Sequence, residues 1–236
     1  MNVRPLLIAA QRVVLQHHSR FWFAAAGAIV LAGICLLPLN GAWFHRDDFW
    51  LLSLARYTTN PLYFWTYDHS AFYFFRPATM TLWWCSVALW GSALTAHYAL
   101  NALLHCAVAL SFGLWMRAFA RSPTVGGFAI RFYAVHPVAV RTTMWLSDRF
   151  DLMATTRVFA ACALFLHPSH AKLRRAGLRL LTLSSCLSKK TGVALLALVA
   201  VHFMFRRHAV SDVACRFWTR QTRIRCSKAR CCKRER

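Results

Sequence analysis

Of only seven acidic residues in 236, five (Asp47, Asp48, Asp68, Asp148 and Asp151) fall in two short polar stretches between long apolar segments. Ionised groups are costly inside a bilayer, so a membrane chain that keeps few carboxylates and gathers them is expected to use them. The adjacent pair Asp47-Asp48 is suited to taking a proton from a weakly acidic group, or to holding a divalent cation. Arg76, Arg149 and Lys189 lie in or beside polar stretches and can meet an anion's charge. If both stretches face one side of a membrane they can form one site, so the topology of the apolar segments decides the chemistry.

Composition places the chain in a membrane: 58% of residues are hydrophobic, 14% aromatic and only 15% charged, far from the balance of a soluble domain. Phe21 to Leu39 is a 19-residue run without charge, close to the ~20 residues that cross a hydrocarbon core as a helix. Arg4, Arg12 and Arg20 precede it and no small-residue cleavage site ends it, so it reads as an uncleaved signal-anchor with residues 1–20 in the cytoplasm. The net charge of +22 raises nucleic acid as a partner. Its distribution argues against that, because Arg117 and Arg121, then Lys172, Arg174, Arg175 and Arg179, then Arg206 and Arg207 sit beside apolar helices. Such clusters mark cytoplasmic helix ends.

With those clusters inside, an all-α integral membrane fold of about six transmembrane helices is expected over residues 21–205. Helix 1 (21–39) exits and residues 40–95 lie outside. Helix 2 (about 96–116) returns, helix 3 (about 124–135) exits, and 136–150 lie outside. Helix 4 (about 151–166) returns, helix 5 (about 176–187) exits, and helix 6 (about 191–205) ends inside. Residues 78–91 are expected to be an external interfacial or membrane-embedded helix, since 14 residues are short for a span. Helices 3 and 5, at about 12 residues, need tilt or local bilayer thinning. The aromatic crowd between Trp43 and Phe75 predicts that the first outer loop lies on the leaflet surface as short amphipathic helices. That crowd reads either as an aromatic belt or as a shelf for a lipid-linked substrate.

The nine cysteines add little: five lie in apolar segments as small hydrophobes and four lie near the end without C-x-x-C pairing. No glycine-rich phosphate loop, nucleophile elbow or internal repeat is present.

His45-Arg46-Asp47-Asp48, Phe75-Arg76-Pro77, Asn101, His105, His136-Pro137-Val138, Trp145 to Leu152, and Leu187-Ser188-Lys189 follow one another in an order and spacing that resembles the GT-C membrane glycosyltransferases. The likeness is to the protein O-mannosyltransferase-like members, including those with C-terminal tetratricopeptide repeats. It covers about residues 20–205. The resemblance implies transfer of a sugar from a polyprenyl-phosphate donor to a protein or glycan acceptor on the extracytoplasmic side of a membrane, the bacterial inner membrane being expected. An acidic pair in the first outer loop is the catalytic signature of that family. The acceptor hydroxyl needs a carboxylate, Asp47 or Asp48, with the other orienting the acceptor or holding a divalent ion. The departing phosphate needs cations, for which Arg76, Arg149 and Lys189 are the candidates. His136, Asp148 and Asp151 are expected to support them.

Plainer uses remain open at each position. Asp47-Asp48 can cap the following helix. Asp148, Arg149 and Asp151 can form a local ion pair, and His136 can end helix 3 ahead of Pro137. The chain also departs from the family pattern, with Arg141 and Lys190 where Glu is usual and with Arg131 and Arg157 inside spans. Residues 206–236 hold eleven Lys or Arg. They read as a basic cytoplasmic tail, disordered or produced by a frameshift or truncation that replaces later helices. The alternative to a transferase is therefore a non-catalytic, degenerate membrane protein.

Overall fold

The computed structural model describes residues 43–66, 75–167, 171–194 and 197–198, with isolated helical positions between 19 and 33. The described residues are helical, with no strand among them, as the sequence reading expects of an all-α chain. Between residues 43 and 194, the described residues form seven α-helices in order: α1 Arg46–Tyr57, α2 Pro77–Trp90, α3 Leu94–Ala120, α4 Pro123–Val135, α5 Pro137–Met144, α6 Arg149–Leu166 and α7 Ala171–Cys186. Short 3₁₀ turns span Pro61–Trp65, Leu146–Asp148 and Lys190–Val193. Asp68 and the expected sixth span beyond residue 198 lie outside the described residues. The chain divides into two units, Met1–Leu195 and Leu196–Arg236, and the seven helices all belong to the first.

The central helix is α3. Its 27 residues give a length of ~40 Å at 1.5 Å per residue, and it is the one described helix long and apolar enough to cross a membrane. The other expected spans fall short of that test: α4 has 13 residues, α6 has 18 with three charged side chains, and α7 has 16 with four. The turn after α3 is written locally. Arg121 adopts the left-handed conformation (φ 51°), the Ser122 hydroxyl accepts the Val125 N–H, and Pro123 opens α4. Such an αL cap followed by a Ser-Pro start stops one helix and begins the next within two residues.

Chain reversal here brings α3 and α4 backbone to backbone. A Cβ on Gly126 would stand 2.8 Å from the Gly113 carbonyl oxygen, and one on Gly113 would collide with Ile130. Small residues permit this close backbone approach. Phe21, Ala25, Ala109, Ile130 and Ala134 form the adjoining core.

A second core of Leu51, Ala55, Phe64, Met80, Trp83, Val87, Tyr98, Leu146 and Phe150 joins the 43–66 segment to the later helices. The indole N–H of Trp84 donates to the Thr58 carbonyl (2.8 Å), and that of Trp65 to the Thr81 hydroxyl (2.9 Å). The aromatic loop is thus pinned to α2 by polar handles on apolar rings. The reading of 136–150 as an outer stretch misses α5, which Pro137 opens at its first helical position.

Candidate functional site

A cavity of about 510 Å³ opens where α1, the start of α2, the Leu146–Asp148 turn and the end of α7 meet, within the size range of small-molecule sites. Its lining includes Asp47, Arg76, Asp148 and Lys189, with Trp50, Trp145 and Phe150 as aromatic walls. The two polar stretches that the sequence sets a hundred residues apart therefore meet at one site. Four of the eight expected site residues line it.

The two carboxylates of the Asp47-Asp48 pair have diverged. Asp47 is exposed and lines the cavity, with no hydrogen bond or ion pair recorded for its carboxylate among the described residues. Asp48 is fully buried. One of its oxygens accepts the backbone N–H of Ser147 (2.7 Å) and the Ser147 hydroxyl, while the other accepts the His45 N–H (2.9 Å). Position does this: the helix starts at Arg46, so Asp48 occupies its third position and reaches back over the open N-terminus. Asp47, one residue earlier, points about 100° away around the helix. The capping use holds for Asp48, which also ties the start of α1 to the Leu146–Asp148 turn.

Of the pair, Asp47 lines the cavity, while both Asp48 oxygens accept hydrogen bonds inside the protein. Among the described residues no group of three or more His, Cys, Asp or Glu side chains is arranged to hold a metal.

Arg149 is likewise given a different place from the one expected. Its guanidinium is fully buried, donating from Nε to the Asn101 side chain (2.9 Å), from Nη1 to the Ser86 hydroxyl (3.1 Å) and from Nη2 to the His97 carbonyl (3.2 Å). It also lies 4.2 Å over the Trp83 ring. With every nitrogen donating inside the protein, it is a keystone between α2, α3 and α6 and is not among the residues lining the cavity. His136 ends α4 and starts α5, its ring against Phe132, and it does not line the cavity either.

Lys189 reaches the cavity while its ammonium bonds the Asp151 carboxylate. Arg76 also lines the cavity, with its guanidinium 4.7 Å over the Phe150 ring. Partial burial lowers the Arg76 pKa, and Asp151 works against that shift. The Asp148 pKa is raised from its ordinary value, first by burial and then by the negative charge of Asp151, with Asp48 adding to it and Lys189 and Arg141 opposing. A carboxyl tuned upward inside a cavity is a recurrent feature of proton-transfer sites.

The arginine expected to be costly in helix 4 finds partners. Arg157 donates from Nη1 to the Ser184 carbonyl on α7 and to the Ser188 hydroxyl just beyond that helix. Sequence reasoning passed over Ser147, Trp50 and the buried network of His97 and Ser86. One signal was available: His97, Asn101 and His105 recur every fourth residue of α3, and all three are buried. That is one polar stripe on an otherwise apolar helix.

No family model matches the chain, no curated protein matches it, and no solved structure matches its fold.

Proposed function

We propose that the chain is a membrane glycosyltransferase that moves a sugar from a polyprenyl-phosphate donor to a hydroxyl of a protein or glycan acceptor. The observation that carries this reading is a cavity in which exposed Asp47 and Asp148, whose pKa burial raises, share the walls with Arg76 and Lys189. Asp47 takes the acceptor hydroxyl proton as that oxygen attacks the anomeric carbon. The bond from that carbon to the phosphate oxygen breaks, its electron pair stays with the phosphate, and the configuration inverts. Arg76 and Lys189 meet the charge of the departing polyprenyl phosphate, with Asp151 holding Lys189 in place beforehand.

In this reading the cavity end faces the extracytoplasmic side of the bacterial inner membrane, with both termini cytoplasmic. Helices α3, α4, α6 and α7 cross, the shorter ones shielded by neighbours. The order of the chain supports it. At the start of α3 the Tyr98 hydroxyl donates to the Trp43 carbonyl and the Asn101 amide to the carbonyl of cavity-lining Trp145, while its far end carries Arg117 and Arg121.

A non-catalytic membrane protein is favoured by one observation: Lys189 is already neutralised by Asp151, and Arg141 adds an opposing cation near Asp148. The two readings separate in an assay of the purified full chain with radiolabelled polyprenyl-phosphate sugars, scored by released polyprenyl phosphate and labelled acceptor. The transferase reading expects release that Arg76→Ala abolishes. Absence of release from every donor, with no gain from Arg141→Glu combined with Lys190→Glu, supports the non-catalytic one.

A further inference from the structure

Helix α7 carries four cations, Lys172, Arg174, Arg175 and Arg179, in its first nine residues and no acid anywhere. Cations at a helix start oppose the macrodipole, so this placement costs stability unless something outside the chain compensates. At 100° per residue, Lys172, Arg175 and Arg179 fall within about 60° of arc. All three are exposed. Leu173, Leu180 and Leu183 are exposed too, at 61–70%, and occupy the adjoining arc of about 80°.

The opposite face of α7 is the one that packs. Ser185 is buried with its hydroxyl on the Ala154 carbonyl (3.1 Å), and a Cβ on Gly177 would press on Leu164 at 2.7 Å. A charged stripe and a leucine stripe therefore stand side by side on the face turned away from α6. They also differ in height. The cations fill the first two turns, farthest from the cavity that Lys189 reaches at the other end, while Leu180 and Leu183 lie deeper along the helix.

We infer that this face of α7 binds an anionic phospholipid, its phosphate on Lys172, Arg175 and Arg179 and an acyl chain along Leu180 and Leu183. Charge complementarity selects the anionic headgroup, and the adjoining leucines select a lipid over a free phosphate. The lipid belongs to the leaflet on the side of Arg117 and Arg121, whose own basic end of α3 lies far from the cavity. This site rests on membrane insertion and is independent of sugar transfer.

Native mass spectrometry of the full chain in detergent, titrated with phosphatidylglycerol or with phosphatidylcholine, tests it. Wild type is expected to bind phosphatidylglycerol more tightly, with affinity falling as salt rises. Each Gln substitution at 172, 175 or 179 should weaken that binding about fivefold, and the triple variant on the order of a hundredfold. Phosphatidylcholine binding should not change. If the triple variant does not fold, the three single variants with unaltered unfolding temperatures carry the test. Equal binding of the two lipids by wild type, or undiminished phosphatidylglycerol binding by the variants, overturns the site. So does displacement of the lipid by a single-stranded oligonucleotide, which would assign the stripe to nucleic acid.

Discussion

The Asp48 carboxylate accepts both the backbone N–H and the hydroxyl of Ser147, 99 positions along the chain. This bond holds the Asp47 wall of the cavity against the Asp148 wall. Removing a buried acceptor leaves its donors without partners, at ~1–3 kcal/mol for each group stranded. Asp48→Ala is therefore expected to lose at least ~2 kcal/mol and to lower the unfolding temperature in detergent. Ser147→Ala, which keeps the backbone N–H, should lose ~1 kcal/mol. Equal unfolding temperatures for wild type and Asp48→Ala would deny the tether.

Arg149 should behave as architecture. Its alanine variant strands the Asn101 and Ser86 partners and empties the space over Trp83, so a loss of ~3–5 kcal/mol is expected. Arg149→Lys should recover little, because an ammonium cannot reproduce three donors in a planar fork. Thermal unfolding of both variants checks this, and a stable Arg149→Ala chain with weakened donor binding would return Arg149 to the phosphate.

Asp148 supplies a pH dependence whose sign follows from its raised pKa. Between the unfolded-state pKa and the raised folded-state one, the folded chain holds a proton that the unfolded chain has released. Stability contributed by this group therefore falls as pH rises from the unfolded value through the folded one. Asp148→Asn should be more stable than wild type at neutral pH, with the difference shrinking in acid. Asp151→Asn removes a negative neighbour, so the same transition should move to lower pH. Unfolding temperatures measured across a pH series read both effects.

The cavity and the basic clusters should lie on opposite sides of the membrane. Phe49→Cys and Arg141→Cys, both at exposed positions, are expected to react with an impermeant maleimide in intact cells lacking the native cysteines. Lys172→Cys should react only after permeabilisation. Reaction of 49 without 141 would separate the two polar stretches.

Much of this helical order is visible in the apolar runs. Expected segments at 78–91, 96–116, 124–135 and 151–166 correspond to Pro77–Trp90, Leu94–Ala120, Pro123–Val135 and Arg149–Leu166. Helix α7 begins at Ala171, five residues ahead of expectation, because Lys172, Arg174 and Arg175 interrupt hydropathy without interrupting helix, for which Lys and Arg are good formers. The site is less legible. Composition cannot say which of two adjacent aspartates turns inward, since that depends on the residue at which α1 starts. Nor does an arginine at a helix start announce that Ser86, His97 and Asn101 on other helices will enclose it. Such pairings are long-range and leave no local pattern.

The central claim is that Asp47 is the base of a transfer site and Asp48 its scaffold. The most direct measurement is the single-turnover rate of sugar transfer from a polyprenyl-phosphate donor by Asp47→Asn, normalised to folded protein. The account predicts a fall of ~10²–10⁴-fold at an unchanged unfolding temperature. Transfer by Asp47→Asn at the wild-type rate would contradict it.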